Sequence, residues 1–380
     1  MRVLIFSADI GEGHDLPARV IRDAILERDP DAQVTILDTI DAAGRVARVV
    51  VRSGSETVLA KLPKLFDAQY WLISHFAPSR ALFGWLVRAI ATPGLRRALA
   101  RHAPDVVVAT YPGANEILSH MRLRGSLEVP IVSAITDLAA LRYWSHRGCD
   151  LHLVIHPESS AEIRAIAGPG ARVEAVRGLT GPQYEEPLEP AAARAGLGLP
   201  VDVPIVAISG GGWGVGDCAG AVEATLAVDP DAHAVALCGR NERARAALER
   251  AFAGNARVHV LGFTDRMSEH LAAADVLVHS TAGLTAFEAL VRGARVISYG
   301  WAVGHIRANN EAYVRFGLAD VATDRTDLRV AIARALGSPR RRDLAYASRP
   351  SAAERILALA AGTPLQPSDR SRGAEQAASG

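Results

Sequence analysis

The sequence predicts an α/β protein made of two successive parallel-sheet domains that face each other across a cleft. Three observations predict it. Short apolar runs of strand length alternate with helical stretches along most of the chain. Two glycine loops, SADIGEGH at 7–14 and SGGGWGVGD at 209–217, each stand where an apolar run gives way to a helix. Between the halves lies residues 178–202, rich in proline (Pro182, Pro187, Pro190, Pro200), which reads as a linker. At 380 residues, 49% of them hydrophobic, the chain is long enough for two domains, each with its own core.

Composition removes several function classes. A formal net charge of +1 argues against a general nucleic-acid binder, which would be basic overall. Cys149, Cys218 and Cys238 are far apart and lack metal-ligand spacing, so neither a disulfide framework nor a zinc site is expected. A reducing cytoplasm is the expected compartment. Asp9 and Glu12 interrupt the apolar start before a signal peptide could form, and no apolar run reaches the roughly 18 residues of a spanning helix. A soluble or peripheral protein is expected.

In the first half, a strand at 3–6 runs into the glycine turn, with a helix expected from about Pro17 to Arg28. The third glycine of a dinucleotide fingerprint would fall at Leu16, so that reading is weak. His14 stands at the mouth of this turn, at the carboxyl end of a parallel strand, where ligands of open α/β sheets sit. An imidazole with an ordinary pKa of about 6.5 suits a general base at neutral pH, the alternative being a histidine that only caps the turn. A second strand, 33–37, ends at Asp38. Strands follow at 105–110, 131–135, 151–155 and 172–176, and Asp137 follows the second of these on the same rim as His14.

Residues 43–101 are unlike the rest. Ten basic residues, among them Arg88, Arg96 and Arg97, stand against Glu56 and Asp67, with Phe66, Tyr70, Trp71, Phe76, Phe83 and Trp85 interleaved. Basic residues with aromatics on helical segments suit a membrane interface, the alternative being core aromatics with solvated arginines.

In the second half, strands at 205–208, 234–237 and 258–261 are followed by the glycine loop, by Cys238-Gly239-Arg240-Asn241 and by Gly262-Phe263. The stretch from Ala274 to Asn310 then reads strand (276–278), tight loop (279–283), helix (284–292), strand and loop. A helix starting at Gly283 points unpaired N–H groups and the positive end of its dipole outward, and Ala282 and Gly283 leave room for an anion. Glu288, a carboxylate in an otherwise apolar run, could accept two hydrogen bonds from a ribose diol. A plain βαβ unit with a solvated glutamate is the alternative. A last helix, 351–361, precedes a polar tail expected to be disordered.

Taken together, SADIGEGH, ITDLAALRYW, SGGGWGVGD, CGRN, VLGFTDRMSEHLAAADVLV and STAGLTAFEALVRG resemble the monogalactosyldiacylglycerol synthase and processive diacylglycerol glucosyltransferase family, and more distantly the lipid-II N-acetylglucosaminyltransferase, in collinear order over about residues 1–335. The resemblance implies a GT-B fold, two Rossmann-like domains. It implies inverting, metal-independent transfer of a hexose from a UDP-sugar to a membrane lipid, with the acceptor in the first domain and the donor in the second. His14 is then the proposed base, with Asp137 as the other catalytic candidate. The donor site is expected from Gly211, Gly212, Trp213, Arg240, Asn241, Phe263, Thr281, Ala282, Gly283, Leu284, Thr285, Glu288, His305 and Asn309. No metal and no cofactor beyond the donor sugar are implied.

Domains are expected at 1–177 and 204–345, joined by 178–203, then a helix at 346–362 and the tail. Expected partners are a UDP-sugar, a diacylglycerol-like acceptor and an anionic membrane on whose inner face the protein sits, with no nucleic acid. The likeness departs at Gly304-His305-Ile306, where the family has Gly-Gln-Glu, and at Gly178-Leu179-Thr180, where it has Gly-Leu-Pro. A sugar-nucleotide epimerase, a nicotinamide oxidoreductase and a non-catalytic relative are the competing readings.

Overall fold

A computed structural model describes residues 1–9, 12–48, 77–212, 214, 216–300 and 304–363. Among these, two six-stranded sheets form, and every strand pair in both is parallel. The first holds β1 (Arg2–Ser7), β2 (Gln33–Asp38), β3 (Val106–Ala109), β4 (Ile131–Ile135), β5 (Leu151–Val154) and β6 (Val173–Ala175), in the order β2-β1-β3-β4-β5-β6. The second holds β7 (Ile205–Ser209), β8 (His233–Leu237), β9 (Val258–Leu261), β10 (Val276–His279), β11 (Arg295–Tyr299) and β12 (Asp320–Ala322), in the order β12-β11-β10-β7-β8-β9. Leu4, Ile5, Val107, Val108, Val206, Ala207 and Leu277 are fully buried, as strands covered by helices on both faces require.

The strand orders fix where ligands can sit. Chain direction across the sheet reverses between β1 and β3 in the first domain and between β7 and β10 in the second, and crevices open at the carboxyl ends of such pairs. His14 stands in the helix that follows β1, the glycine loop follows β7, and the 280–283 loop leaves β10. All three singled-out stretches therefore lie at switch points.

Helices of the first domain are α1 (Glu12–Arg28), α2 (Thr39–Ala43), α3 (Arg45–Arg48), α4 (Ala77–His102), α5 (Pro112–Leu123) and α6 (Ser160–Ala167). α1 begins five residues before the expected Pro17, so Gly13 and His14 are in its first turns. Pro17 lacks the N–H that would reach the Gly13 carbonyl, and the Thr136 hydroxyl approaches that oxygen instead at 3.4 Å. The helix thus tolerates its proline, and its mouth is tied to the end of β4. Ala18, Ile21 and Ile25 form its buried stripe. Of the basic and aromatic segment, residues 49–76, with Lys61, Lys64, Phe66, Tyr70, Trp71 and Phe76, lie outside the described residues. α4 crosses α2 so closely that a Cβ on Gly94 would overlap the Ala42 carbonyl oxygen. We expect Gly94→Ala to destabilise the first domain by about 1–3 kcal/mol, read as a lower denaturation midpoint, because backbone rather than a side chain must yield.

The segment between the domains is structured. A 3-10 turn at Pro182–Tyr184 precedes α7 (Pro190–Leu197), which packs on α10 (Met267–Ala273). Arg194 fastens it, donating to the carbonyls of Ala273, Val201 and Val203 and pairing with Asp275 at 2.8 Å. The remaining helices are α8 (Cys218–Val228), α9 (Glu242–Ala251), α11 (Leu284–Arg292), α12 (Gly304–Arg315), α13 (Arg325–Leu336) and α14 (Ala352–Ala360). α12 replaces the loop expected at 304–310. Its Asn309 and Asn310 are weak helix formers, and both are buried by tertiary contacts that override that preference. The chain then returns to the first domain: Arg177 pairs with Ser351 as an isolated parallel bridge, Arg349 donates to the Ile155 carbonyl, and α14 packs on α1. The expected tail falls at 364–380, outside the described residues. No described helix is long and apolar enough to cross a membrane.

Candidate active site

On the first rim, His14 Nδ1 lies 2.9 Å from the Thr110 carbonyl oxygen, at the end of β3. A carbonyl only accepts, so Nδ1 carries the hydrogen and Nε2 keeps the lone pair in the neutral ring. That is the tautomer a base needs. The ring stands edge-on to Tyr111, with centroids 5.3 Å apart, and 6.1 Å from the ring of Trp144, which is fully buried.

Asp137, the other catalytic candidate, accepts from the Trp144 indole N–H at 2.7 Å through Oδ2. Its Oδ1 accepts at 2.8 Å from the side-chain amide of Asn309 on α12, so the second domain reaches onto this rim. The same amide's oxygen accepts the Ala139 N–H at 2.9 Å. Asn309, expected among the donor-binding residues, thus makes its side-chain hydrogen bonds to the rim of the first domain.

On the second rim, Gly283 caps α11 with no side-chain hydrogen bond, and Leu284 and Thr285 open its first turn. Ala282 holds a left-handed φ of +50°, rare for a residue with a Cβ. Its N–H is turned inward and donates to His279 Nδ1 at 3.0 Å, so Ala282 lends shape rather than a donor. The glycine loop packs directly on its neighbours. A Cβ on Gly211 would stand 3.4 Å from Thr281 Oγ1, one on Gly216 would overlap Ser280 Oγ, and the Arg240 N–H donates to the Gly212 carbonyl at 2.9 Å. Arg240 also lies over the Phe263 ring, 4.4 Å from its centroid, and Phe263 is 59% exposed. This flat cation and ring pair offers a stacking surface at the edge of the cleft.

Several of the expected donor residues also make contacts within the protein. Asn241 caps α9, accepting from Ala244 N–H at 3.0 Å, and its Nδ2 donates to Gly214, so it shapes the glycine loop. Glu288 is 5% exposed and turned to the linker. The Thr180 hydroxyl donates to it, Tyr184 adds a second hydrogen bond, and burial raises its pKa. The diol partner expected from sequence therefore has protein hydroxyls as its counterpart in this arrangement. Trp213 and the His305 side chain lie outside the described residues, and Ile306 packs against the core.

The sequence reading gave no role to Thr110, Thr136, Trp144, Thr180 or Tyr184, although Thr136 and Trp144 lie in ITDLAALRYW and Thr180 stands where the family has proline. Among the described residues no group of three or more histidine, cysteine or acidic side chains could hold a metal ion.

Residues 14–176 match the family described as monogalactosyldiacylglycerol (MGDG) synthase. Monogalactosyldiacylglycerol synthase 1 of Arabidopsis thaliana is 28% identical over 339 residues, covering 82% of this chain and 60% of the relative. A processive diacylglycerol beta-glucosyltransferase of Staphylococcus carnosus is 24% identical over 59% of this chain and 57% of its own length. The chain thus spans under two thirds of the length of these relatives.

Among solved structures, Acinetobacter baumannii MurG superposes with a TM-score of 0.54 at 15% identity, over 95% of this chain and 99% of that one. The spinosyn rhamnosyltransferase SpnG, complexed with thymidine diphosphate, gives 0.58 at 15% identity, over 94% of this chain and 100% of that one. These two likenesses show the fold. The chain therefore has a GT-B architecture, and 163 consecutive residues of its first domain match the model of the monogalactosyldiacylglycerol synthase family.

Proposed function

We propose that the protein is an inverting glycosyltransferase that moves a hexose from a UDP-sugar to the hydroxyl of a diacylglycerol-like lipid at a membrane surface. The observation that carries this reading is the pairing of a tautomer-fixed histidine on one switch-point crevice with an uncapped helix start and glycine loop on the other. The acceptor hydroxyl gives its proton to His14 Nε2 as its oxygen attacks the anomeric carbon. The bond from that carbon to the diphosphate oxygen breaks on the opposite face, and the charge that leaves with UDP meets the first-turn amides of α11 and the glycine loop. Phe263 with Arg240 stacks the base. Transfer is expected to persist in EDTA, since amides and dipole offset the leaving charge. The likeness to a diacylglycerol glucosyltransferase and a monogalactosyldiacylglycerol synthase supports the acceptor class, and the thymidine diphosphate of SpnG supports a nucleoside diphosphate donor.

Glu288 already accepts from Thr180 and Tyr184, and its carboxylate has further lone pairs for ribose hydroxyls. We therefore expect Glu288→Ala to weaken UDP binding by about 1.5–3 kcal/mol by calorimetry, the worth of a hydrogen bond to a charged group. Unchanged affinity would leave the carboxylate as a fastener of the linker.

Membrane contact is proposed through α4. Leu82, Trp85 and Leu86 are exposed on it, and beside them a groove of about 770 Å³ is lined by Arg88, Arg96, Arg97 and Arg124. Arg88 is already paired with Glu116 at 2.7 Å, which leaves the other three to meet anionic headgroups. Changing Arg96, Arg97 and Arg124 together to Gln is expected to remove about 1 kcal/mol of vesicle binding per charge. Co-sedimentation with vesicles of graded anionic content reads this. Equal binding of both proteins at every composition would place the contact elsewhere.

A further inference from the structure

We infer that Asn309 is a positioning residue, which carries the seating of the second domain onto Asp137 and, through Trp144, onto the wall of the His14 site. The inference goes beyond the proposed transfer and rests on that reading only for its kinetic arm. Three hydrogen bonds of ordinary length converge on one carboxylate and one amide. Asn309 Nδ2 donates to Asp137 Oδ1 at 2.8 Å, Trp144 Nε1 donates to Asp137 Oδ2 at 2.7 Å, and Ala139 N–H donates to Asn309 Oδ1 at 2.9 Å. Asn309 and Trp144 are both fully buried, so neither amide nor indole can exchange these partners for bulk water.

The arrangement is directional. Asn115 of α5 holds the other side of the same loop, donating to the carbonyls of Tyr143 and Trp144 at 2.9 and 2.8 Å, so within the first domain the indole is anchored through its backbone. Its ring angle is then set by the bond to Asp137, whose second oxygen is held from the other domain. Elsewhere the described cross-domain polar contacts are of a different kind. Arg315 and Glu162 form a bidentate pair at 2.9 and 3.0 Å on the surface, where solvent weakens it, and Thr180 meets Glu288 at the linker. Asn309, by contrast, couples the second domain to groups that line His14. If the domains separate, Asp137 loses one charge-assisted bond, the Ala139 N–H loses its acceptor, and the indole beside His14 loses its fixed partner. A base assembled only when the donor domain is seated would be withheld from stray hydrolysis of the donor.

The test compares wild type with Asn309→Leu, similar in volume and unable to form either bond. Three readouts are taken: amide exchange of Ala139 by mass spectrometry, the Trp144 indole N–H resonance, assigned with Trp144→Phe, and UDP binding by calorimetry. We expect Ala139 exchange to accelerate by about tenfold or more, the Trp144 resonance to shift, and UDP affinity to stay within about twofold. In the kinetic arm kcat falls about tenfold or more while donor KM holds. If Ala139 exchange and the Trp144 resonance are unchanged, the inference is overturned. It is also overturned if UDP-sugar KM rises with kcat intact, which would make Asn309 a donor contact. Should Asn309→Leu fail to fold, Asn309→Ser, which is too short to reach Asp137, is read in the same way. If exchange and resonance respond but wild type transfers no sugar, the glycosyltransferase reading fails and the positioning role stands.

Discussion

Replacing His14 with alanine is expected to lower sugar transfer by about 10²–10⁴ while leaving UDP affinity intact, the range general-base catalysis supplies. The expectation is sharper than position alone would allow. The Thr110 carbonyl fixes which nitrogen carries the proton, and Tyr111 and Trp144 wall the ring, so the lone pair on Nε2 has one orientation. UDP affinity is spared because the amides and ring that would meet the nucleotide belong to the second domain. Single-turnover kinetics with saturating donor separates the two effects. Turnover that survives in His14→Ala would transfer the role to Asp137, whose two oxygens are already held in place.

Acidification from pH 7 to pH 5 is expected to cost about 2 kcal/mol of folding stability for each of two buried histidines. His156 is 3% exposed, and burial, reinforced by Arg349, pushes its pKa down to about 3. His279 is 1% exposed and burial alone pushes it down to about 4. A depressed histidine contributes stability that is present above the unfolded value of about 6.5 and is lost as pH falls toward the folded value. Glu288 acts in the opposite sense: its raised pKa favours the folded state at low pH, and that contribution fades as pH rises through the folded value. The histidine effect is therefore isolated by difference.

His156 packs between Phe287 and Tyr313 of the second domain, so a proton there also disrupts the domain junction. Urea unfolding of wild type and His156→Leu at both pH values should show a pH-dependent loss smaller by about 2 kcal/mol in the variant. The same loss in both proteins would mean that His156 is not held neutral.

Much of this was legible in the sequence where local chemistry sets the outcome. β4, β9 and α11 begin and end at the residues their patterns predict, because each apolar run is bounded by residues that break it. The start of α1 was not: the helix continues upstream of Pro17, where the hydroxyl of Thr136, 123 positions away, approaches the freed carbonyl. Asn241 and Asn309 show the same limit at the site. One amide caps its own helix and the other reaches Asp137 across 172 positions. A short polar side chain takes its role from whatever the fold brings within 3 Å, which spacing along one chain does not encode. Glu288 was legible as a carboxylate on an apolar helix face, while its partners Thr180 and Tyr184 on the linker were not.

The central claim is sugar transfer to a lipid hydroxyl. Its most direct test is to incubate the purified protein with radiolabelled UDP-glucose or UDP-galactose and vesicles containing diacylglycerol and anionic phospholipid, with EDTA present, and to resolve the lipid fraction. The account predicts a labelled glycolipid with a β-linked sugar, formed from an α-linked donor, and a yield that collapses in His14→Ala. Label that remains in nucleotide sugar, free sugar or an epimerised donor, with none in lipid under any of these conditions, would contradict it.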